Sequence, residues 1–169
     1  MKKIVLIGPE STGKTTLARK LSTHFRSPMV DEYARTYIAQ LERPYSQQDL
    51  LEIARGQIKR EASFDHATHS YLFCDTDLRV IKIWSQYKYN TVHPWILNQI
   101  DQRECLAYLL TDIDLPWEPD PQREHPQDRK RIFGLYLTEL EFSGVPFTII
   151  SGEGNERLKI AVDFIEGLA

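Results

Sequence analysis

Five short hydrophobic segments recur along the chain, and each is followed by glycine, proline or polar residues. They are KIVLIG, PMVDE, YLFCDTD, AYLLTDID and PFTIISG, at residues 3–8, 28–32, 71–77, 107–114 and 146–152. None of them alternates polar and apolar positions, and such continuous segments are typical of strands that are covered on both faces. The pattern therefore predicts five buried β-strands.

Between these segments, apolar residues recur at spacings of three and four, as they do along one face of an α-helix. The spacing predicts helices at residues 13–25, 47–64, 78–87, 131–142 and 155–168. Asn155 is placed to cap the last of them. Strands that alternate with helices favour right-handed crossover connections, so the sequence predicts an α/β fold with a five-stranded parallel sheet.

Composition narrows the classes of function. With 169 residues, of which 41% are hydrophobic and 27% charged, the chain is typical of one globular domain spanning residues 1–169. The net charge of -3 argues against nucleic acid as a partner, because nucleic-acid binding needs a basic surface. No segment approaches the ~20 apolar residues of a membrane span, so we expect a cytoplasmic protein that is not membrane-embedded.

One segment differs from the rest in composition. Residues 115–131, LPWEPDPQREHPQDRKR, are rich in proline and charge and follow the fourth predicted strand. This composition is typical of an exposed loop, and a plain solvated loop is its simplest interpretation. A loop of this kind beside a ligand site would close over the ligand, so we call residues 115–131 the lid segment.

The first predicted strand leads directly into GPESTGKT, residues 8–15, which matches the phosphate-loop pattern G-x-x-x-x-G-K-[ST] at every position. Gly8 and Gly13 allow a tight turn whose backbone N–H groups face a phosphate. Lys14 would reach the terminal phosphates, and Thr15 would place its hydroxyl on Mg²⁺. The predicted nucleotide-binding residues are Gly8, Glu10, Ser11, Thr12, Gly13, Lys14, Thr15 and Thr16, with Asn155 and Arg157 as candidate adenine contacts.

This loop makes the predicted fold a three-layer P-loop NTPase type with a lid, and it predicts ATP and Mg²⁺ as cofactors. The third predicted strand supplies the carboxylate that the metal needs: Asp75 is the second predicted magnesium ligand, beside Thr15. Asp77 lies two residues further on, and we predict that it contacts the substrate, with a contact to the metal as an alternative. Capping of the following helix is its alternative role.

Acidic residues also end the second predicted strand, where an acceptor of the γ-phosphate would sit. Asp31 and Glu32 are both candidates for the catalytic base that deprotonates an attacking hydroxyl, and the sequence leaves the choice open. Tyr33 and Arg35 follow, and we predict that they bind the substrate. Ordinary helix-start chemistry is the alternative, since acidic residues favour a helix N-terminus.

The lid segment adds two arginines to the predicted chemistry. Negative charge builds up on the phosphate oxygens during phosphoryl transfer, and guanidinium groups stabilise it. We therefore predict that Arg123 and Arg129 act with Lys14 as catalytic cations. The chain has no N-K-x-D box for guanine, and DTDL stands where a D-x-x-G switch would lie, so a small-molecule kinase is favoured over a GTPase switch.

The chain also resembles a known family. The blocks GPESTGKTTLA, VDEYAR, FCDTD, HPWILNQID, LPWEPDPQR and QDR occur in the order and approximate spacing of the ribosylnicotinamide kinase domain, the C-terminal part of a bifunctional bacterial NAD-salvage protein. The resemblance implies transfer of the ATP γ-phosphate to the 5'-hydroxyl of nicotinamide riboside, which gives nicotinamide mononucleotide. The positions that match the family's second-strand glutamate, paired aspartates and lid are Glu32, Asp75 and Asp77, and Trp117, Arg123 and Arg129.

Asp31 departs from the family pattern, which has an aromatic residue at this position. A ring that stacks on the pyridinium of the substrate would then come from Tyr33, Tyr37 or Trp117. Another nucleoside or a thiamine-like alcohol is an alternative acceptor. From another class, the alternative is a regulatory ATP-binding module with a functional link to a vitamin transporter, and the sequence leaves the oligomeric state open.

Overall fold

A computed structural model describes residues 1–64 and 68–168. Its five strands form one sheet in the order β2-β3-β1-β4-β5, and every neighbouring pair is parallel. The strands are β1 (Lys2–Ile7), β2 (Met29–Val30), β3 (Tyr71–Asp75), β4 (Ala107–Thr111) and β5 (Phe147–Ile150). The predicted α/β fold with a five-stranded parallel sheet is thereby confirmed.

The five predicted helices are present, and the described residues contain two more. The helices are α1 (Lys14–His24), α2 (Tyr33–Ala39), α3 (Gln47–Ala62), α4 (Leu78–Tyr89), α5 (Pro94–Asp101), α6 (Arg129–Ser143) and α7 (Asn155–Gly167). The two that were not predicted are α2 and α5, although a proline in the first turn of α5 is a readable start signal. Gly154, and not Asn155, is the N-cap of α7.

Both faces of the sheet are covered, which explains why the hydrophobic segments do not alternate. Along β1, Val5 and Ile7 pack in one cluster with residues of α4 and α6. Ile4 and Leu6 point to the opposite face and pack with residues of α1 and α7. These are the three layers of the predicted fold.

A third cluster lies outside the sheet and consists of helices alone. Residues of α2, α3, α4 and α5 form it, with Leu50, Ile53 and Leu78 fully buried or nearly so. This packing fixes α2 and α4 relative to each other, and both helices begin just after strands. The packing of these helices therefore fixes the positions of the α2 and α4 residues that lie beside the carboxyl ends of β2 and β3.

The strands end earlier than the hydrophobic segments that predicted them. Asp31 and Glu32 follow β2, and Thr76 and Asp77 follow β3, all outside the strands. Because the strands are parallel, these loops and the loop after β1 meet at one edge of the sheet. Ligand sites of open α/β sheets occur at this edge.

The lid segment has no helix or strand until its last three residues, which form the first turn of α6. It follows β4, and α6 then leads from it to β5. The lid segment therefore begins near the edge of the sheet where the candidate site lies. Among the residues described, no helix combines the length and the apolar character needed to cross a membrane.

Candidate active site

The phosphate loop connects β1 to α1 and passes very close to β4. Gly8 has a φ of 144°, and a Cβ placed on it would lie 2.5 Å from Oγ1 and 2.8 Å from the carbonyl oxygen of Thr111. Gly13 has a φ of 78°, in the left-handed region that favours glycine. Both glycines of the motif are therefore required by the backbone.

The start of α1 is open to an anion. Gly13 is its N-cap, no side chain caps its first N–H groups, and the first turn contains no acidic residue. Uncapped N–H groups together with the helix dipole favour a phosphate at this position. The Thr12 hydroxyl instead donates to the carbonyl of Pro9 (2.7 Å) and bonds the Thr111 hydroxyl (2.7 Å), so this buried side chain maintains the shape of the loop.

Lys14 lies folded over the loop. Its ammonium donates to the carbonyl oxygens of Gly8 (2.9 Å) and Pro9 (2.6 Å). Burial lowers the pKa of Lys14, and the nearby carboxylates of Asp75 and Glu32 oppose this effect. The cation therefore sits in a desolvated position with two carboxylates as neighbours, where added phosphate charge would stabilise it.

Thr15 and Asp75 form the centre of the predicted metal site. The Thr15 hydroxyl donates to Oδ2 of Asp75 at 2.5 Å, while Oδ1 of Asp75 is buried and has no hydrogen-bond partner among the described residues. Burial raises the pKa of Asp75, which the hydrogen bond from Thr15 and the charge of Lys14 partly offset. A buried oxygen without a partner, next to a hydroxyl, is a donor set that fits Mg²⁺.

Glu32 and Asp31 are placed very differently. Glu32 is partly buried and lines the cavity at the strand ends, and burial together with the charge of Asp75 raises its pKa to about 7. Asp31 is exposed and does not line the cavity. Of the two candidate bases, Glu32 alone faces the space where an acceptor would sit.

The cavity at this edge has a volume of about 600 Å³ and two halves. The loop half is lined by the phosphate loop, the first turns of α1 and the start of α7, with the residues Gly8 to Leu17, Lys20, Leu115, Glu153, Gly154 and Arg157. The helical half is lined by the end of β2 and by α2, α4 and α6, with the residues Glu32, Ala34, Arg35, Ile38, Val80, Ile83, Trp84, Tyr87, Ile132 and Tyr136.

Three aromatic residues line the helical half, and sequence reasoning missed all of them. They are Trp84 and Tyr87 on α4 and Tyr136 on α6. The available signal was the stripe of Val80, Ile83, Trp84 and Tyr87 along the predicted helix, more apolar surface than the sheet contact alone requires. An aromatic wall next to the carboxylate of Glu32 suits a ligand with a flat, positively charged ring.

The aromatic residues that the sequence favoured as stacking partners lie elsewhere. The Tyr33 ring packs directly over Gly56 of α3 and under the guanidinium of Arg60, 4.8 Å from the ring centroid. The Tyr37 hydroxyl donates to Asp49. Trp117 does not line the cavity. The predicted substrate contacts of Tyr33 and Trp117 do not fit these positions, because α3 and the lid segment hold both rings.

Asp77 also turns away from the cavity. It is fully buried, caps α4 by accepting from the Arg79 N–H (2.9 Å), and accepts from the Tyr108 hydroxyl (2.8 Å). The Arg103 guanidinium lies 3.4 Å from its second oxygen. The predicted substrate contact does not fit this placement, and the alternative role as a helix cap is the observed one.

The phosphate loop holds the lid segment in place. The Glu10 carboxylate accepts from the N–H groups of Glu124 (3.0 Å) and His125 (3.1 Å), and the Ser11 hydroxyl accepts from the N–H of Glu118 (2.8 Å). These two side chains, predicted to contact nucleotide, therefore contact the lid. On the other side, Arg35 pairs with Asp120 at 2.9 Å while it lines the cavity.

The two predicted catalytic arginines of the lid have different surroundings. Arg123 lines the cavity, donates to the carbonyl of Glu118 within the lid segment, and reaches toward the Ser11 hydroxyl at 3.4 Å. Arg129 donates to the carbonyls of Leu115 (3.0 Å) and Ser11 (3.3 Å) and does not line the cavity. Arg123 is thus placed to meet a phosphate, whereas Arg129 anchors the lid segment to the loop.

At the predicted adenine wall, Arg157 is buried and lines the loop half. Its guanidinium donates to the carbonyls of Thr12 (2.6 Å) and Gly152 (2.7 Å) and pairs with Asp114. Asn155 is exposed and does not line the cavity, so its predicted nucleotide contact does not fit. Thr16 does line the loop half, as predicted for a nucleotide contact.

Comparison with known proteins agrees with this arrangement. The sequence profile of the AAA domain family matches residues 3–157. Over 161 residues the chain is 26% identical to the trifunctional NAD biosynthesis/regulator protein NadR of Escherichia coli (strain K12), a match that covers 90% of this chain and 39% of that protein. The chain thus spans well under half of this relative. The resemblance stated from the sequence motifs is confirmed.

Solved structures share the fold. NadR protein in complex with NR has a TM-score of 0.83 at 21% identity, over 99% of this chain and 50% of that one. NadR protein in complex with NAD and AMP-PNP has a TM-score of 0.82 at 22% identity, over 99% and 49%. Thymidylate kinase from Ehrlichia chaffeensis reaches 0.71 at 13% identity, over 99% and 98%. The predicted P-loop NTPase-type fold is confirmed.

Proposed function

We propose that this chain, which belongs to the AAA domain family, is an ATP-dependent kinase that phosphorylates the 5'-hydroxyl of nicotinamide riboside. The observation that carries this proposal is a cavity that joins a complete phosphate loop to an aromatic chamber with the carboxylate of Glu32 in its lining. The fold relatives NadR, in complexes with NR and with AMP-PNP, support a riboside acceptor and a triphosphate donor.

In the proposed reaction, the protein contributes positioning and charge. The N–H groups at the start of α1 and the ammonium of Lys14 bind the β- and γ-phosphates, and Arg123 meets the charge that builds up on the transferring group. Thr15 and Asp75 would hold Mg²⁺, and the bound ion would neutralise phosphate charge. These groups act in a partly enclosed cavity, where electrostatic stabilisation is stronger than in water.

Glu32 is the proposed general base. A pKa of about 7 matches the operating range of a base at neutral pH, because about half of the carboxyl is then ionised and its carboxylate accepts a proton readily. The 5'-hydroxyl would lose its proton to Glu32 as its oxygen attacks the γ-phosphorus, and ADP leaves with the bridging oxygen. Proton, nucleophile and leaving group are thus accounted for.

The helical half favours a cationic aromatic acceptor that carries an alcohol. Trp84, Tyr87 and Tyr136 line this half with aromatic rings, and Glu32 supplies negative charge. Among the described residues that line this half, Arg35 is the sole cation, and it is paired with Asp120. A phosphate monoester, the acceptor type of a thymidylate kinase, would meet little positive charge from these helices; the lid segment adds Arg123 to the cavity lining.

The acceptor is tested by following ADP release with magnesium and ATP against a panel of nicotinamide riboside, thiamine, adenosine, thymidine and thymidine monophosphate. We expect nicotinamide riboside to give the highest kcat/KM and a product with one added phosphate by mass spectrometry. A panel in which none of these compounds raises turnover above the rate without acceptor would contradict the proposal.

The base is tested by the pair Glu32→Gln and Asp31→Asn. We expect Glu32→Gln to lower kcat by about 10² or more, because it removes the proton acceptor, whereas Asp31→Asn changes kcat less than about threefold. For the natural enzyme, kcat/KM for the acceptor should fall as pH drops below about 7, the pKa of Glu32. If Asp31→Asn shows the larger loss, the assignment of the base is wrong.

A further inference from the structure

Three segments that are distant in sequence meet at the hydroxyl of Tyr45. Tyr45 lies in the loop between α2 and α3, Trp84 and Lys88 lie on α4, and Glu124 lies in the lid segment. The Tyr45 hydroxyl donates to Oε2 of Glu124 at 2.5 Å and accepts from the Trp84 indole N–H at 2.9 Å. It also accepts from the Lys88 ammonium at 2.5 Å.

This hydroxyl uses its full hydrogen-bonding capacity. A phenol has one donor and two acceptor positions, and each of the three partners takes one of them. Burial and the neighbouring Glu124 raise the pKa of Tyr45, so the phenol keeps its proton and remains a donor. The rings of Tyr45 and Trp84 also meet edge to face, with centroids 4.8 Å apart.

The loop that carries Tyr45 is itself held in place. Ser46 and Asp49 form a reciprocal cap at the start of α3. The two terminal guanidinium nitrogens of Arg43 donate to Asp49, at 2.7 and 2.9 Å. The Tyr89 hydroxyl donates to the backbone carbonyl of Tyr45 at 3.2 Å. The phenol is therefore a defined attachment point and does not depend on the lid for its position.

Glu124 joins both halves of the site. Its side chain contacts Tyr45 and Lys88, next to the helical half, while its backbone N–H donates to Glu10 of the phosphate loop. Trp84, which lines the helical half, shares the same phenol. The position of the lid is thus linked through one hydroxyl to the orientation of the indole.

We propose that Tyr45 is a positioning residue that couples lid closure to the acceptor site, by fastening Glu124 of the lid and the Trp84 indole to one phenol. An acceptor that packs against Trp84 then stabilises the closed lid, and a closed lid orients Trp84 for the acceptor. The inference rests on the proposed function for its kinetic consequence, but the fastening itself needs no substrate.

Tyr45→Phe is the test, because it keeps the ring and removes the hydroxyl. We expect KM for nicotinamide riboside to rise about tenfold, equivalent to about 1.4 kcal/mol, with KM for ATP changed less than about twofold. Without any ligand, backbone amides of residues 118–125 should exchange hydrogen at least about fivefold faster, because the lid loses a charge-assisted hydrogen bond.

Tyr71→Phe is the matched control, since Tyr71 lies in β3, outside the cavity lining, and its hydroxyl bonds no other described residue. In this control, the KM for nicotinamide riboside and the hydrogen exchange of residues 118–125 should both remain at the values of the natural protein. Lys88→Met should increase lid exchange in the same direction as Tyr45→Phe, because it removes a second contact to Glu124.

The two proposals fail in distinguishable ways. If nicotinamide riboside is not phosphorylated, the proposed function fails, and lid exchange alone decides the role of Tyr45. If the natural protein phosphorylates it, and Tyr45→Phe matches Tyr71→Phe in lid exchange and in acceptor KM, the coupling inference is overturned while the proposed function stands.

Discussion

The two halves of the cavity are built by different means. The loop half consists mainly of consecutive residues that offer backbone groups to a ligand: Gly8 and Gly13 set the turn, and the start of α1 has uncapped N–H groups. The helical half takes its wall from the end of β2 and from three separate helices, and its contacts are made by side chains such as Trp84 and Tyr136.

This contrast explains what each half can change. A backbone turn tolerates almost no substitution, because its geometry depends on residues without a Cβ at crowded points. A wall of side chains from several helices can be altered one residue at a time, with graded effects on the ligand that fits. We infer that the loop half determines the reaction class and the helical half determines the acceptor.

Gly8→Ala should have the largest effect, because it acts on the backbone of the loop half. The new Cβ would meet the main chain of Thr111, which cannot move without disturbing β4. We expect kcat/KM to fall by more than about 10³, with a lower midpoint of thermal unfolding. Gly134→Ala is the control: it meets open space on α6 and should stabilise the protein slightly. Natural-like kinetics for Gly8→Ala would remove the distinction between the halves.

Arg123→Ala should rank second. Its guanidinium lines the cavity where phosphate charge develops, so kcat should fall on the order of 10³. Arg129→Ala serves as the comparison, because that side chain does not line the cavity and anchors the lid to the phosphate loop, so its loss should cost only about tenfold through a less well placed lid. Single-turnover measurements would separate the two, and equal losses would mean that both arginines act alike.

Trp84→Leu should have a smaller effect that is confined to the helical half. Removal of an aromatic wall residue should raise KM for the acceptor about tenfold, within the range of base stacking on aromatic side chains, and leave KM for ATP within about twofold. Trp95→Leu is the control, because Trp95 lies on α5 outside the cavity lining. A rise in KM for ATP as large as that for the acceptor would contradict the division of roles.

The smallest expected effect concerns thermal stability, and Glu32→Gln tests it separately from its loss of kcat. In the folded protein the pKa of Glu32 is about 7, above its usual value of 4.5, so the folded state holds this proton more tightly than the unfolded state. Its stabilising contribution is complete below pH about 4.5 and is lost as pH rises through about 7. Relative to the natural protein, the variant should therefore gain thermal stability as pH rises from 5 to 8. Each kcal/mol gained in the free energy of unfolding should raise the midpoint of thermal unfolding by about 2–4 °C.

Asp31→Asn is the control for this pH series, because Asp31 is exposed and does not line the cavity. The midpoint of its thermal unfolding should follow that of the natural protein throughout the series from pH 5 to 8. A constant difference between Glu32→Gln and the natural protein across the series would mean that the Glu32 carboxyl titrates normally.

Much of the fold could be predicted because it depends on local patterns. Segments such as residues 71–77 predict buried strands because their apolar residues do not alternate with polar ones. The five helices are predicted by apolar residues at spacings of three and four. The helix α2 was missed because its seven residues are too few for a periodic signal. Thr15 and Asp75 were correctly placed side by side because the end of a parallel strand faces the loop after the first strand.

Predictions failed where a side chain had two available environments. Asp77 caps α4 and Tyr33 packs on α3, although both follow strands that end at the site. Glu10 and Ser11 line the cavity, so their nucleotide contacts stay predictions, but their side chains also bond the lid segment, which the sequence did not indicate. In each case the competing partner lies on another element, and its proximity depends on how that element packs.

The sequence by itself determined the sheet, the phosphate loop and the chemistry of the loop half, because these depend on neighbouring residues and on backbone geometry. Tertiary structure alone decided that Glu32 and not Asp31 faces the cavity, that Trp84, Tyr87 and Tyr136 form its wall, and that Tyr45 meets Glu124. The reason is physical: which side chains share a space is fixed by the packing of separate helices, and sequence periodicity carries no record of their relative positions.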